Sequence, residues 1–296
     1  MKKHAYLIIA NRNPNQLKML LSVLDDSRND IYLYIDNKSR KEFPSKYNLN
    51  FSKVYLASSS DIYWGDYSLI QAELSLFRMA RSNGRYEYYH LLSGLDLPLV
   101  NQDIIHDFFD KHLNKEFITY STALTKEMLS TRLHKYHLRK SFRNGTIFER
   151  AFHKIENNVY SKVPTKKLEI EKINFGSNWV SLDDELVNDL ITHDNEIYNI
   201  FHSGYLVDEL FIPVFINLHP KYKRKIYYDR PVTDKPDEFQ GNLRYINWWD
   251  GSPYTWRDKD YDKLVYARKM GHLFSRKFDE NVDDKIIKRI VDYDLK

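Results

Sequence analysis

The first hundred residues alternate between short apolar runs and segments with helical spacing, and this alternation restricts the fold more than any other feature. Four runs are rich in strand-forming residues: 5–10, 31–35, 53–57 and 88–92. Between the first two, the leucines from Leu17 to Leu24 recur at helical spacing. Strands that alternate with helices are typical of α/β proteins with a mainly parallel central sheet flanked by helices. We therefore predict this fold class, with ligands bound beyond the carboxyl ends of the strands.

The rest of the chain is less regular but contains further predicted elements. Ser68 and Gln71, three residues apart, indicate a capping box at the start of a second helix. Pro213 must lie in the first turns of a later helix or kink it. The later elements are predicted in this order: a helix from 183–184, a helix at 208–217, a strand at 243–247 and a helix at 282–292.

Composition is that of one folded domain without disulfide bonds. At 296 residues and 42% hydrophobic content, the chain is long enough to bury one large core, and no internal repeat or low-complexity linker divides it. Cysteine is absent, which excludes disulfide bonds, a thiolate nucleophile and cysteine-based zinc sites. We predict a single domain over residues 1–296.

Neither the start of the chain nor its charge points to a membrane span or to nucleic acid. The apolar residues 5–10 are too few for the hydrophobic region of a signal peptide. No run approaches the roughly 18 apolar residues of a spanning helix, so we expect a cytoplasmic protein. A net charge of +4, with 29% charged residues of both signs, describes an ordinary soluble surface and does not imply nucleic acid.

Basic residues nevertheless cluster in one segment. Between Arg132 and Lys167, ten lysines and arginines outnumber the two acids, Glu149 and Glu156. Such a cluster binds anionic lipid, a phosphorylated acceptor or nucleic acid, or it is simply a solvated face.

Two polar turns follow predicted strands. Asp36 comes directly after the run at 31–35, and Asp96 lies in the turn that follows the run at 88–92. Asp36 is placed to bond a ribose or uracil edge and Asp96 to lie beside a sugar, but both also suit ordinary turns. No Gly-x-Gly-x-x-Gly follows the first strand, which disfavours a dinucleotide site.

Two later segments carry side chains suited to group transfer. Asp208 and Glu209 stand at a predicted helix start, and a carboxylate there can remove a proton from an alcohol. Arg276 and Lys277 stand between two phenylalanines, and such cations stabilise a phosphate leaving group. Each pair also has a structural alternative, because acids favour helix N-termini and basic residues flank core aromatics on solvated surfaces.

Other motifs are weighed against surface roles. Asp-x-Asp, a common metal-diphosphate motif, occurs at 258–260 and 292–294. Neither copy follows a strand of the first third, so we interpret both as charged surface positions, with a metal-dependent site as the alternative. His90 and the pair His134 and His137 are interpreted as surface or hydrogen-bonded core histidines.

Several motifs stand in an informative order along the chain: Tyr63-Trp64-Gly65, Ala72-Glu73-Leu74, Tyr89–Leu99, Gly176-Ser177-Asn178-Trp179, Asp208-Glu209 and Leu273–Asp279. Together they resemble the core-2/I-branching β-1,6-N-acetylglucosaminyltransferase family, which includes peptide O-xylosyltransferases. The resemblance runs from about Ala5 to about Phe278. Because the animal-type stem, membrane anchor and cysteines are absent, the chain looks like a bacterial cytoplasmic member.

The resemblance implies a GT-A-like fold that uses a nucleotide sugar and inverts the anomeric centre without a bound metal or other cofactor. Glu209 matches the catalytic base and Lys277 a cation that holds the diphosphate. Asp36 matches a position near the uridine, and Trp248 an aromatic position near the acceptor sugar. The family's second diphosphate cation, an arginine, has three candidates: Arg257, Arg268 and Arg276.

We therefore expect transfer of a sugar, in the simplest case GlcNAc, from a UDP-sugar to a saccharide acceptor of a surface glycan. Residues 1–120 are expected to form the nucleotide-binding half and residues 121–296 the acceptor-binding and catalytic half. The expected nucleotide-sugar ligands are Asp36, Asp96, Arg257, Arg276 and Lys277. The expected acceptor residues are Trp179, Trp248 and Trp249, whose rings either stack on a sugar or pack in the core.

Two further expectations remain open at this point. If the acceptor is lipid-linked, the basic segment from Arg132 to Lys167 would touch the inner face of the plasma membrane. The alternatives to this function are a metal-dependent retaining transferase and a protein that binds sugar or nucleic acid without catalysis.

Overall fold

A five-stranded sheet organises the protein, for which the computed structural model describes residues 3–134 and 168–295. Its strand order is β3-β2-β1-β4-β8. The strands are β1 His4–Ala10, β2 Asn29–Ile35, β3 Lys53–Leu56, β4 Tyr88–Ser93 and β8 Ser181–Asp183. The first four are parallel, and β8 runs antiparallel to β4. The predicted α/β class with a mainly parallel sheet is confirmed.

Nine α-helices are described in these ranges. The four in the first part are α1 Pro14–Val23, α2 Tyr67–Asn83, α3 Gln102–Lys111 and α4 Lys126–His134. The other five are α5 Asp184–Thr192, α6 Asp194–Phe201, α7 Asp208–Leu218, α8 Tyr261–Met270 and α9 Asp284–Arg289. None of the described helices combines the length and the apolarity needed to cross a bilayer.

The central strands are buried on both faces, because helices cover both sides of the sheet. Alternate residues of β1 point into two hydrophobic clusters, with Leu7 and Ile9 in one and Tyr6 and Ile8 in the other. The first cluster is completed by α2, α5, α6 and α7. The second is completed by α1, α3, α8 and α9. The near-continuous apolar runs of the sequence are explained by this double burial.

Two smaller sheets connect parts of the chain that are far apart in sequence. The three-stranded sheet has the order β5-β10-β9, and the two-stranded sheet pairs β6 with β7. Their strands are β5 Leu97–Pro98, β6 Tyr120–Ser121, β7 Phe175–Gly176, β9 Arg244–Ile246 and β10 Phe274–Arg276. Because β5 pairs with β10 and β4 with β8, the two predicted halves are interleaved. Their functional division stays a prediction.

Two local predictions differ from the structure and a third agrees with it. The capping box at Ser68 is wrong, since Asp66 caps α2 by accepting a hydrogen bond from the Ser68 amide. The terminal helix is shorter than predicted, because α9 passes into a π-helical turn at Ile290–Asp294. Pro213 lies in the second turn of α7, in agreement with the prediction that it lies in the first turns of this helix.

Candidate active site

A cavity of about 440 Å³ lies beside the first turn of α7. Its wall includes three acids, two arginines and three tryptophans: Asp208, Glu209, Asp234, Arg132, Arg276, Trp64, Trp179 and Trp248. These side chains come from elements and loops that are far apart along the chain. The arrangement therefore depends on tertiary packing rather than on a local motif.

The start of α7 presents two carboxylates to this cavity. Asp208 and Glu209 occupy its first turn, where the partial positive charge of the helix end favours acids. From Leu210 to Ile216 the helix is buried in the first hydrophobic cluster. The buried body of the helix thus holds its first turn at the cavity.

Gly176 permits the close packing behind the acids. A Cβ atom at this position would lie 1.9 Å from the carbonyl oxygen of Thr119 and 3.2 Å from the ring of Pro213. The first distance is impossible for any side chain, so only glycine allows β6, β7 and α7 to meet here. This requirement explains the glycine in the Gly176-Ser177-Asn178-Trp179 motif.

Glu209 is held by an arginine. The Nη1 atom of Arg132, on α4, donates to Glu209 Oε2 at 2.7 Å, and only about a quarter of the Glu209 side chain is exposed. Burial raises the pKa of Glu209 above its ordinary value, while the charge of Arg132 opposes that rise. The result is an ionisable base beside a fixed cation.

Asp208 has a different environment. Burial, reinforced by the neighbouring Glu209 charge, raises its pKa to about 7. Its Oδ1 atom is buried and makes no hydrogen bond within the described structure. Asp208 is therefore partly protonated at neutral pH, whereas Glu209 has a cation to stabilise its charged form.

Arg276 places a second cation in the cavity wall. Its guanidinium lies 4.3 Å from the centre of the Trp179 ring, and its Nε is 3.4 Å from Asp96 Oδ1. Asp96 is fully buried and also accepts hydrogen bonds from the amide and hydroxyl of Ser93. Burial raises the pKa of Asp96, and Arg276 opposes that rise. The ion pair with Asp96 therefore orients the Arg276 guanidinium.

Lys277 follows Arg276 but is not part of the described cavity wall. It is half-buried, its amide donates to the Tyr254 carbonyl at 3.4 Å, and its carbonyl accepts from the Trp256 amide at 2.9 Å. Of the two adjacent cations, the structure brings Arg276 to the acids. The diphosphate role of Lys277 stays a prediction.

Asp36 lies at the carboxyl end of β2, where parallel-sheet proteins bind ligands. Its Oδ1 accepts from the amides of Lys38 and Ile62, and its Oδ2 pairs with Lys38 at 3.3 Å. The Lys38 ammonium in turn lies 4.5 Å from the ring of Tyr63, the neighbour of cavity residue Trp64. Asp36 thus supports the loop that borders the cavity.

Some of the remaining predicted tryptophans and arginines line the cavity, and others lie elsewhere. Trp179 and Trp248 line the cavity, whereas Trp249 packs 5.5 Å from the Tyr245 ring in the second cluster. Arg257 is exposed beyond that wall. Arg268 lies on α8, with its guanidinium over the Tyr261 ring. Arg276 is the one of the three candidate arginines that reaches the cavity.

Sequence reasoning missed the role of Arg132. We grouped it with the basic segment, of which Lys135 to Lys167 lie outside the described residues. Seventy-seven positions separate Arg132 from Glu209, so no spacing rule could have paired them. Asp234, another cavity acid, had no motif either.

Two of the motifs set aside in the sequence have clear places, whereas His137 lies outside the described residues. His90 is fully buried and bonded to Ser181 and His4, as predicted for a core histidine. The surface interpretation is wrong for Asp260, which is buried, accepts from the Tyr254 hydroxyl and pairs with Lys263 at 3.3 Å. These partners already use both of its oxygens.

One family model covers most of the chain, and two known proteins are similar to it. The sequence model described as Core-2/I-Branching enzyme matches residues 4–274. The protein "Xylosyltransferase oxt" of Drosophila melanogaster is 19% identical over 305 residues, covering 98% of this chain and 33% of that protein. The chain thus spans about a third of that relative. The apo crystal structure of mouse xyloside xylosyltransferase 1 is 15% identical, with a TM-score of 0.39, and the match covers 93% of this chain and 97% of that one.

Proposed function

The chain belongs to the Core-2/I-branching enzyme family, and we propose that it is an inverting glycosyltransferase that transfers a sugar from a UDP-sugar to a saccharide acceptor. In the simplest case the sugar is GlcNAc. The observation that carries the proposal is that Glu209 and Arg276, 67 residues apart by number, line the same cavity. A glycosyl transfer requires an acid residue to deprotonate the acceptor and a cation to stabilise the leaving diphosphate, and this cavity has both.

Glu209 is the proposed general base. An alcohol is a weak nucleophile at neutral pH, and a carboxylate that takes its proton as the new bond forms contributes about 10²- to 10⁴-fold. The raised pKa of Glu209 suits this role, because a base with a pKa closer to neutral accepts the proton more readily. One carboxylate oxygen can hold Arg132 while the other receives the acceptor hydroxyl.

Arg276 is the proposed partner of the leaving diphosphate, with Lys277 beside it. The leaving group gains negative charge as the bond to the sugar breaks, and a fixed cation stabilises that charge. Arg276 is held by Trp179 and Asp96, so it need not reorganise during the reaction. We propose that these cations replace the divalent metal that many sugar-nucleotide enzymes use.

Inversion follows from the proposed use of a single base. A retaining, double-displacement route needs a second carboxylate as nucleophile. Asp208 is close, but its Oδ1 is buried, and the proposal assigns it no nucleophilic role. A single displacement assisted by Glu209 gives a β-linked product from an α-linked UDP-sugar.

The acceptor is proposed to be a saccharide held against Trp248, whose ring offers a flat apolar face to sugar C–H groups. A lipid-linked acceptor and a membrane contact through the basic segment remain part of this proposal. Flotation with vesicles that contain and lack anionic lipid tests that contact. Equal flotation in both would count against it.

The central experiment combines a donor panel with one substitution. UDP release and product formation are measured for the full chain with several UDP-sugars and oligosaccharide acceptors, and the product anomer is assigned by NMR. Glu209→Gln should lower kcat by about 10²- to 10⁴-fold while UDP binding survives. Added Mg²⁺ or Mn²⁺ should not raise the rate.

Glu185→Gln is the matched control, since Glu185 is also the second residue of a helix that begins with Asp-Glu, outside the cavity wall. This variant should retain activity. An α-linked product, strict dependence on an added metal, or full activity of Glu209→Gln would overturn the proposed mechanism. Sugar binding without any turnover would favour the non-catalytic alternative.

A further inference from the structure

Three metal-ligating side chains meet outside the catalytic cavity, where α5, α6 and α7 come together. They are His193, Glu196 and His219, and their ligand atoms all lie within 4.8 Å of one another. Among the described residues, this is the one group of three or more His, Cys, Asp or Glu side chains with that geometry. None of the three lines the cavity beside Glu209.

The fold places these residues at helix ends. His193 ends α5 and begins α6, and Glu196 follows three residues later, on the same helix face. His219 is the residue at which α7 ends. The ring of Phe215 stacks on His219 at 4.2 Å and meets His193 edge-on at 5.7 Å. The imidazoles are therefore held by packing before any ion binds.

Hydrogen bonding leaves one nitrogen of His193 available. Its Nδ1 lies 2.8 Å from the carbonyl oxygen of Asp189. A carbonyl only accepts, so Nδ1 carries the proton and the neutral ring has its lone pair on Nε2. Histidines that bind metals usually have this backbone or carboxylate partner on their other nitrogen.

His219 and Glu196 make a close contact that no hydrogen bond in the described structure explains. His219 Nε2 is buried and makes no hydrogen bond, yet it lies 3.4 Å from Glu196 Oε2. Either a proton or a metal ion must lie between two such atoms to make the contact favourable. In a tetrahedral site with bonds of about 2.1 Å, neighbouring ligand atoms are about 3.4 Å apart, so the observed separation fits a metal ion.

We propose that His193, Glu196 and His219 bind a divalent transition-metal ion of the Zn²⁺ type. Two imidazoles and one carboxylate suit zinc and its neighbours far better than Mg²⁺ or Ca²⁺, which prefer oxygen ligands. The nearby cation Lys221 does not oppose the charge strongly, because Asp189 and Glu185 pair with it at 2.8 and 3.1 Å. Water completes the coordination.

The metal has a structural role in this proposal. It ties the end of α7 to the junction of α5 and α6, while Glu209 lies at the opposite end of the same helix. An ion that binds the folded state and not the unfolded chain stabilises the fold by mass action. The site is independent of the proposed sugar transfer, so either can fail without the other.

The test uses the full chain after chelation and desalting. Calorimetry with ZnCl₂ should show one saturable site, and the melting temperature should rise by roughly 2 to 8 °C in excess Zn²⁺. MgCl₂ should give neither effect. Co²⁺ should give visible absorption bands of a nitrogen- and oxygen-ligated site.

Substitutions then locate the ion. His219→Ala and Glu196→Gln should weaken Zn²⁺ binding at least about tenfold and abolish the melting shift. Glu196→Gln keeps the shape of the side chain, so it remains informative if His219→Ala does not fold. His202→Ala is the matched control, because His202 also ends a helix and bonds a carbonyl through Nδ1 at 2.7 Å. Absence of saturable binding, or binding that survives both substitutions, would overturn the site.

Discussion

Arg132 and Glu209 form a 2.7 Å ion pair between α4 and the first turn of α7. Burial and the Arg132 charge act in opposite directions on the pKa of Glu209, the proposed base. Burial raises the pKa of Glu209, which improves proton acceptance, and the charge of Arg132 opposes that rise. Arg132 also lies 5.3 Å from the Phe175 ring, which fixes its direction. We interpret it as a residue that positions and tunes the base.

Arg132→Gln should therefore change the pH profile of transfer as well as its rate. Removing the cation lets the pKa of Glu209 rise further, and a base must be deprotonated to act, so the acidic limb of kcat/KM should move to higher pH. At pH 7 the rate should fall about tenfold or more, and Arg132→Lys should restore part of it. The measurement is kcat/KM from pH 5 to 9.

Arg78→Gln provides the comparison, because Arg78 also forms a 2.7 Å ion pair, with Asp194, but lies outside the cavity wall. Its profile should match that of the wild type. A uniform loss of rate in Arg132→Gln, with the acidic limb unmoved, would mean that Arg132 does not tune Glu209.

Arg276→Lys should weaken UDP binding while the fold is retained. Lysine preserves the charge that faces the buried Asp96 but loses the planar fork and the stacking on Trp179. We expect about a tenfold rise in the Kd of UDP, since hydrogen bonds to charged groups contribute about 1.5–3 kcal/mol. Lys277→Ala should also weaken UDP binding if that ammonium reaches the diphosphate.

Arg257→Ala controls for the general effect of losing a positive charge, because Arg257 is exposed and outside the cavity wall. Calorimetry with UDP measures all three variants. An unchanged Kd for Arg276→Lys and Lys277→Ala together would remove these cations from the phosphate role.

Trp248 and Trp249 should behave differently although they are adjacent. Trp248 lines the cavity, so Trp248→Ala should raise the KM for the acceptor several-fold while the donor KM stays near that of the wild type. Trp249 packs on Tyr245 in the second cluster, so Trp249→Ala should lower the melting temperature more than it changes the acceptor KM. Steady-state kinetics and thermal melts separate the two effects. Equal acceptor KM effects in both variants would contradict this division.

The central sheet was predictable because its signal is local. Strands buried on both faces read as continuous apolar runs, and β1, β2 and β4 do so. The start of α7 was also predictable, since acids before an apolar stretch favour a helix N-terminus. The family motifs then selected Glu209 among many acids.

The rest of the site depends on contacts that no local pattern encodes. The Arg132–Glu209 pair requires α4 to dock on α7, and the Arg276–Asp96 pair requires β10 to align beside β5. Trp248 and Trp249 follow β9 outside the strand, and tertiary packing places Trp248 at the cavity and Trp249 on Tyr245. The residue pattern alone offers both tryptophans equally, and only the family resemblance points to Trp248.

Glu73→Gln should change how stability depends on pH. Glu73 is fully buried on α2, its Oε1 accepts from Asn178 at 3.0 Å, and its Oε2 makes no hydrogen bond. Burial raises its pKa well above the ordinary value of 4.5. The folded protein therefore keeps a proton that the unfolded chain has lost, and stability falls as pH rises from about 4.5 toward the folded pKa.

The glutamine variant does not titrate, so its unfolding free energy should decline less than that of the wild type between pH 5 and 8. The difference in unfolding free energy between the variant and the wild type should grow by at most about 1.4 kcal/mol per pH unit. Urea denaturation at each pH measures it. Glu185→Gln should show no such widening of the difference, because Lys225 and Lys221 lower the pKa of Glu185 and its contribution to stability therefore changes only below the ordinary pKa of 4.5. Parallel curves of unfolding free energy against pH for Glu73→Gln and the wild type would show that Glu73 is already ionised in the folded protein. In that case Asn178, which contacts Glu73 and also lines the cavity, would donate its hydrogen bond to a charged carboxylate.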